Sequence, residues 1–323
     1  MFFSLIEIIL DKFESIEAFV AVARAGGFSA ASRQLGAPVA TVSRKVALLE
    51  AAVGVRLFAR STRHVALTEQ GRVYYDACRR VLDDLQEADA LIAGEYRQPM
   101  GELTLTAPIG FGRRHLQPVV QEFLDAYPRI DVNLRLADRV LGLVEEQVDC
   151  AVRISALGDS SLVAREVGHI GIVVCAAPSY LAAHGTPAHP RELLQHPCVS
   201  WTTLGPYKTW EFRLEEASAA VPVPIRVRLS TTTSDSAVDA ACGGLGLVQA
   251  TTYQVAEAVR AGALVPVLRA FEAPPTPVSL VYPSKRLTPL KLRGFLDFVA
   301  PRLSERLAAV ARIMESPAPD RPA

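Results

Sequence analysis

Residues 28–71 read FSAASRQLGAPVATVSRKVALLEAAVGVRLFARSTRHVALTEQG and decide the fold of the N-terminal part of the chain. Two short helical patterns meet at a Gly-Ala-Pro turn, and the second helix, predicted over residues 39–53, carries the basic pair Arg44 and Lys45. Short strands are predicted at 55–58 and 65–67, around a basic tip at 60–63. This order is typical of a winged helix-turn-helix, which presents its second helix to the major groove of DNA.

The distribution of charge supports this interpretation. The whole chain of 323 residues has 34 basic and 34 acidic side chains, so its formal net charge is zero. Between Arg24 and Arg80, however, ten basic residues face only three acidic ones, a net charge of +7 that leaves −7 on the rest. A basic module attached to an acidic body favours attraction to phosphate.

Helices are predicted on both sides of this region. Apolar residues at helical spacing indicate a first helix that ends at Gly26 and Gly27, and Ser29 is predicted to cap the second helix, which runs to Leu35. A long helix is predicted from Thr68 to about Tyr96. Its apolar residues form a narrow stripe: Val73, Ala77, Val81, Leu85, Ala88 and Ile92. Such a stripe favours a two-helix dimer seam, although packing against the helix's own domain is the alternative.

The pattern changes beyond residues 98–102, which include Pro99 and Gly101 and are predicted to form a hinge. Strands and helices then alternate, which predicts the α/β fold class with a parallel sheet. Strands are expected near residues 103–107, 130–136, 148–154, 171–176, 198–201, 225–229, 245–250, 264–268 and 278–282. Helices are expected at 111–126, from about 140, and from about 288.

The chain is identified as a member of the LysR-type transcriptional regulators, and its second half is similar to the branch of CrgA-like regulators. The matching residues are Phe28 to Ala31, Leu35-Gly36, Val42-Ser43-Arg44, Leu49-Glu50, Gly54 to Phe58, Arg60, Leu67 to Gly71, Asp149 to Ile154 and Cys175 to Leu181. The chain departs from the family pattern at Pro38 and Ala40, where two polar residues are usual, so two polar side chains near the DNA are missing.

The resemblance implies a winged helix-turn-helix, a dimerising linker helix, and a periplasmic-binding-protein-like effector domain of two α/β lobes. Implied partners are double-stranded promoter DNA, a small-molecule effector that is commonly a carboxylate, a homodimer or homotetramer, and RNA polymerase indirectly. The expected domains are an N-terminal extension (1–10), a winged helix-turn-helix (11–70), a linker helix (71–97), a hinge (98–102), the effector domain (103–312) and a disordered tail (313–323).

Nine side chains are predicted to contact DNA: Ser29, Arg33, Thr41, Ser43, Arg44, Lys45, Arg60, Thr62 and Arg63. Arg44 is the candidate for reading a guanine, because its guanidinium can bond O6 and N7 together, and a phosphate contact is the alternative. Lys45 is expected to contact phosphate. Arg60 can instead pair with an acid and brace the wing, and Ser29 can act only as a cap.

Effector-binding residues are predicted at strand ends, where open α/β sheets bind ligands and helix N-termini attract anions. They are Pro108, Ile109, Gly110, Arg153, Trp201, Thr202, Thr233, Ser234 and Asp235. Arg153 is the predicted partner of a carboxylate, with a salt bridge as the alternative. Trp201 can be a core residue, and helix capping alone can explain the run of residues 232–235.

Other classes of protein fit the sequence less well. A transport protein would need a signal peptide, and residues 1–10 lack the basic region and cleavage site of one. They are read as an extension helix or the product of an upstream start codon, and a cytoplasmic protein is expected. No nucleophile elbow, phosphate loop or metal-ligand spacing appears, so neither an enzyme nor a cofactor is predicted. A redox switch through Cys150, Cys175, Cys198 or Cys242 remains the regulatory alternative.

Overall fold

The computed structural model describes residues 2–60, 65–92, 99–156, 162–201, 208–214, 220–284 and 288–315. The chain divides into two compact units, Met1–Arg97 and Gln98–Ala323. None of the helices within the described ranges is long and apolar enough to cross a lipid bilayer.

The N-terminal unit is a helical core with a two-stranded wing. Its elements are α1 (Phe2–Ala25), α2 (Phe28–Leu35), α3 (Val39–Val53), β1 (Phe58–Arg60), β2 (Val65–Leu67) and α4 (Glu69–Ile92). Gly36 ends α2 in the left-handed conformation, with φ of 62°, and Pro38 is the N-cap of α3. A glycine after one helix and a proline before the next therefore make the turn of the helix-turn-helix.

Two predictions for this unit are wrong. Ser29 does not cap α2, because Gly27 is the N-cap and Ser29 lies inside the first turn. The first wing strand is Phe58–Arg60 and not 55–58, so Arg60 belongs to the strand and pairs with Val65. Where the strand begins, the backbone N–H groups of Leu57 and Phe58 bind the side chain of Glu50.

Helix α4 uses two different faces. Tyr74, Cys78 and Leu82 pack against the core of the N-terminal unit, which surrounds the buried ring of Phe19. Val73, Val81 and Leu85 lie off that face and are 63%, 50% and 44% exposed. The helix therefore packs on its own domain through one stripe and leaves Val73, Val81 and Leu85 of the predicted dimer stripe uncovered in the single chain.

The C-terminal unit contains two mixed sheets, each of which forms a lobe. Its strands are β3 (Gly101–Ala107), β4 (Ile130–Leu136), β5 (Cys150–Ile154), β6 (Leu162–Ile170), β7 (Ile172–Ala176), β8 (Pro197–Trp201), β9 (Thr209–Phe212), β10 (Val221–Pro224), β11 (Arg226–Thr231), β12 (Leu247–Thr251), β13 (Val265–Val267) and β14 (Thr276–Pro283). Its helices are α5 (Ile109–Phe111), α6 (Gln117–Ala126), α7 (Pro178–His184), α8 (Ser234–Cys242), α9 (Thr252–Arg260) and α10 (Leu290–Glu315), with a π turn at Gly112–Leu116 and 3₁₀ turns at Pro190–Leu194 and Arg269–Phe271.

Lobe 1 has the strand order β4-β3-β5-β14-β6, and lobe 2 has the order β11-β8-β12-β7-β13. The expected parallel sheet is only partly right. Neighbours β3, β4 and β5 are parallel, as are β8, β11 and β12, whereas β14 is antiparallel to β5 and β6, and β7 is antiparallel to β12 and β13. The chain passes from lobe 1 to lobe 2 after β6 and returns before β14, so a strand that follows a crossing enters its sheet in the opposite direction.

Other elements also differ from the sequence prediction. The helix expected from about residue 140 is absent, and residues 143–147 form turns that cover a small apolar cluster with Leu143 and Val148. Strand β6, the hairpin of β9 and β10, and helices α7 and α9 were not anticipated. The main core runs from the lobe 1 sheet, through α6 and α10, to one face of the lobe 2 sheet.

Candidate DNA interface and effector cleft

Helix α3 presents its outer face because its inner face is fixed by apolar residues. Val42, Val46 and Leu49 are buried, as the periodicity predicts. Arg44 is exposed, and no described residue pairs with it. Thr41 and Ser43 are half-buried near the start of the helix. A guanidinium held at the surface of this helix is placed to reach a base edge.

Lys45, unlike Arg44, already forms an ion pair within the protein. Its Nζ lies 2.6 Å from Oε2 of Glu14 on α1, with side-chain exposures of 25% and 48%. A contact with phosphate would have to compete with this ion pair. No local pattern predicts this ion pair, because the two residues are 31 positions apart.

The wing is anchored to α3 by a carboxylate. Oε1 of Glu50, near the end of the helix, accepts hydrogen bonds from the backbone N–H groups of Leu57 (2.8 Å) and Phe58 (3.1 Å). Glu50 therefore braces the wing through these backbone hydrogen bonds, and the sequence marked this residue only as part of the family pattern. Arg60 lies at the end of β1, and Thr62 and Arg63 lie outside the described residues.

The start of α4 is locked against the wing by Thr68 and Gly71. Oγ1 of Thr68 accepts a hydrogen bond from Gly71 N (2.9 Å) and donates to Arg56 O (2.8 Å). A Cβ added to Gly71 would lie 2.0 Å from the carbonyl oxygen of Leu57. Only glycine allows this approach. On α2, both Ser29 and Arg33 are exposed, as a phosphate contact requires.

In the effector unit, residues 108–110 lie where the two lobes meet. They follow β3 in lobe 1, and the N–H of Ile109 donates to Oδ1 of Asp138 at 3.0 Å. A Cβ on Gly110 would lie 3.5 Å from the hydroxyl of Tyr253, on α9 of lobe 2. Tyr253 also packs edge-on against Phe111, with ring centroids 5.4 Å apart. This predicted segment therefore borders the boundary between the lobes.

An ion pair crosses the same boundary. Asp235, at the start of α8 in lobe 2, binds Arg113 through Oδ2 and Arg114 through Oδ1, the latter at 2.6 Å. The side chain of Asp235 is 34% exposed, so the pair is open to solvent on one side. The sequence pointed to Asp235 but missed the two arginines, because nothing local links positions 122 residues apart.

Arg153 is held within lobe 1. Its Nη2 donates to the carbonyl of Leu141, and burial lowers the pKa of its guanidinium. Val152 faces the main core. Because side chains alternate along a strand, Arg153 lies on the opposite face, beneath the 141–148 segment. The salt-bridge alternative is not what is seen, since the partner is a backbone carbonyl.

The remaining predicted residues lie in lobe 2. Nε1 of Trp201 is 3.4 Å from Gln249 O, and its ring lines a cavity within that lobe. Thr233 is the N-cap of α8, and its Oγ1 accepts from Ser236 N at 3.4 Å. Ser234 is the first residue of the helix, and Thr202 lies outside the described residues. Capping therefore accounts for Thr233.

His115 is a buried titratable group at the lobe boundary. Its ring packs on Phe111 and Tyr253, and neither ring nitrogen has a hydrogen-bond partner among the described residues. Burial, aided by the charges of Arg306 and Arg114, lowers the pKa of His115 to about 4. The imidazole is thus neutral in the folded protein at neutral pH.

We expect His115 to make the effector unit less stable in mild acid. The unfolded chain takes up a proton near pH 6.5 while the folded chain resists until about pH 4, so stability falls as pH drops through this window. Thermal unfolding between pH 7 and pH 5 should show a flatter dependence for His115→Leu than for the wild type. If the stability of the variant and of the wild type falls equally between pH 7 and pH 5, His115 is not the source of the pH dependence.

Comparison with known proteins agrees with both units. The protein-family model described as "Bacterial regulatory helix-turn-helix protein, lysR family" matches residues 13–72. The family model of the LysR substrate binding domain matches residues 96–304. The chain belongs to the LysR family. It is a DNA-binding transcriptional regulator with an effector-binding domain and not an enzyme.

The sequence similarity to known regulators covers nearly the whole chain. It is 34% identical to the HTH-type transcriptional repressor PA14_22550 of Pseudomonas aeruginosa, over 95% of this chain and 98% of that one. It is 32% identical to the HTH-type transcriptional regulator CrgA of Neisseria meningitidis, over 91% and 98%. The solved structure of CrgA superposes with a TM-score of 0.57 at 32% identity, covering 91% of this chain and 98% of that one.

The cysteines are poorly suited to sensing oxidants. Four are buried and Cys242 is half-buried. Burial raises the pKa of all five thiols, to about 12 for Cys198. The thiolate is the reactive form, so these environments oppose the redox alternative. No cluster of three or more His, Cys, Asp or Glu side chains suited to a metal ion lies within the described ranges.

Proposed function

We propose that this LysR-type regulator responds to a small carboxylate bound between the two lobes of its effector unit. The observation that carries the proposal is the pair of arginines, Arg113 and Arg114, already bound to the carboxylate of Asp235 across the lobe boundary. The pair recognises a carboxylate within the protein itself, and paired arginines suit the two oxygens of this group. Residues 108–110 and the start of α8 complete the proposed site.

The first test is a thermal-shift screen of the full-length protein with aromatic and aliphatic carboxylates, starting from benzoate and succinate. A ligand present at about 100 times its Kd adds about 2.7 kcal/mol to the stability of the form that binds it. For a unit of about 200 residues this raises Tm by several degrees. The proposal expects a shift that Arg114→Gln abolishes. A shift unchanged in that variant would place the ligand elsewhere.

Asp235 should act as a competitor of the effector. We expect Asp235→Asn to increase affinity for the carboxylate several-fold, because both guanidinium groups lose their internal partner. The loss of stability should be small, about 1 kcal/mol, since the ion pair is open to solvent on one side. Isothermal titration of the carboxylate measures the affinity. Asp239→Asn, an exposed acid one turn further along α8, is the matched control and should have no effect.

We infer a homodimer formed through α4 and, in keeping with the family, a homotetramer that places two pairs of DNA-binding units on one promoter. Support comes from the exposed stripe of Val73, Val81 and Leu85, which a second α4 would cover. Such a dimer presents two α3 helices to the two half-sites of a palindrome. We place this regulator in the cytoplasm, where its promoter DNA and RNA polymerase lie.

The proposed mechanism couples the two units. Effector binding changes the arrangement of the lobes, the linker helices change the spacing of the DNA-binding pairs, and the altered DNA bend changes access of RNA polymerase. This requires the effector to bind one arrangement of the lobes more tightly than the other. Footprints and bend angles that stay unchanged when the carboxylate is bound would rule it out.

A further inference from the structure

Lobe 2 contains a cavity that the function proposed above does not use. Its volume is about 510 Å³, within the range typical of small-molecule sites. All of its described lining residues belong to lobe 2 or to the segment just after it. Strand β9 forms one wall, β7, β8 and β12 form another, and the segment of residues 268–273 completes the described lining.

The cavity opens largely on the face of the lobe 2 sheet away from the main core. Along β7, Val173 and Cys175 belong to the main core, whereas Val174 lines the cavity. Along β12, Val248 belongs to the main core and Gln249 lines the cavity. Ala250, which belongs to the main core, also lines the cavity. No residue of the carboxylate site proposed between the lobes is among the described lining residues, so the two sites are distinct.

Aromatic rings dominate the walls. The chain has two tryptophans, Trp201 and Trp210, and both line the cavity together with Phe212 and Phe271. The electron-rich faces of such rings attract organic cations, and tryptophan does so most strongly. Apolar walls of this kind also bind the body of a ligand through burial of its surface.

One polar atom in the wall lacks a partner. Oε1 of Glu272 is buried and accepts no hydrogen bond from any described residue. Burial raises the pKa of Glu272, and the charge of Arg269 opposes this shift. The guanidinium of Arg269 donates instead to the carbonyl of Met314. A buried carboxylate oxygen without a donor is costly, so a ligand that supplies an N–H would stabilise it.

We propose that this cavity is a second ligand site and that it binds a small organic amine, with the ammonium at Glu272 and the apolar body among the aromatic rings. A carboxylate ligand is disfavoured here, because the charged side chains among the described lining residues are the acids Glu211 and Glu272. The regulator would then receive two signals of opposite charge, one between the lobes and one within lobe 2.

The two tryptophans make the test direct, because all the tryptophan fluorescence of the protein comes from this wall. We would titrate the full-length protein with 2-phenylethylammonium and, in parallel, with the neutral 2-phenylethanol and the anionic 3-phenylpropanoate. A saturable change in fluorescence is expected with the amine. The alcohol should bind at least about ten-fold more weakly, since it lacks the charged hydrogen bond, and the anion more weakly still.

Two variants test whether Glu272 is the acid that binds the ammonium group. Glu272→Gln keeps the size of the side chain and should remove the preference for the amine over the alcohol. Glu211→Gln is the matched control at the exposed wall position and should keep it. Unfolding curves and DNA binding like those of the wild type show that each variant is folded. No saturable signal with the amine, equal binding of amine and alcohol, or an unchanged preference in Glu272→Gln would each overturn the proposal.

Discussion

Gly71→Ala should abolish DNA binding by unfolding the wing and the start of α4. The added methyl group would lie 2.0 Å from Leu57 O, a backbone atom that cannot rotate away, and 2.9 Å from the carbonyl carbon. Relief requires α4 to move from β1, which breaks the hydrogen bonds of Thr68. Forced overpacking of this kind costs about 1–3 kcal/mol and sometimes more. We expect a loss of folding stability of at least about 3 kcal/mol. It is measured from the unfolding of isolated residues 1–97 if they fold alone, or of the full chain otherwise.

Gly27→Ala is the matched control for this prediction. Its φ of 172° is open to any residue, and an added Cβ meets no atom within 4 Å. Because Gly27 is the N-cap of α2, alanine should cost less than about 1 kcal/mol. If the two variants lose equal stability, the close approach at Gly71 does not explain the glycine in this motif.

The second large effect concerns recognition. Arg44→Ala should weaken binding to the selected operator by about 1–3 kcal/mol, or roughly 5- to 150-fold, while binding to random DNA changes little. Arg44 stands exposed on α3 with its neighbours Val42 and Val46 fixed inward, so its guanidinium is available to bases. Competition of labelled operator with random DNA at fixed salt measures both affinities.

Arg63→Ala provides the contrast. A phosphate contact acts equally on all sequences, so this variant should weaken operator and random DNA alike and lower the salt slope by about one unit. If Arg44→Ala behaves in the same way, Arg44 contacts phosphate, and base reading must be assigned to other residues of α3.

Local patterns explain why the DNA-binding part was predictable. The inward face of α3 follows from the spacing of Val42, Val46 and Leu49, and the turn follows from Gly36 and Pro38. These are short-range effects that neighbours in sequence determine. The start of the first wing strand was misplaced, and the contact of Glu50 with Leu57 and Phe58 at this point is one that local periodicity does not record.

The effector unit was less predictable because its geometry is non-local. Strand direction depends on two crossings between lobes, which periodicity does not record, so β7 and β14 were expected to be parallel to their neighbours. The partners of Asp235 come from a π turn more than 120 residues earlier. The position of Arg153 did carry a signal, since an apolar Val152 facing the core turns Arg153 away from it.

Selection of bound DNA from a random library by the full-length protein measures whether α3 of a dimer reads a specific DNA sequence. We expect an enriched inverted repeat with half-sites separated by whole helical turns, of about 10–10.5 base pairs each. The same selection with Arg44→Ala should lose the preference at one position in each half-site. Retention of bound DNA without any enriched sequence, or an enriched sequence that is identical for the variant, would contradict sequence reading by α3.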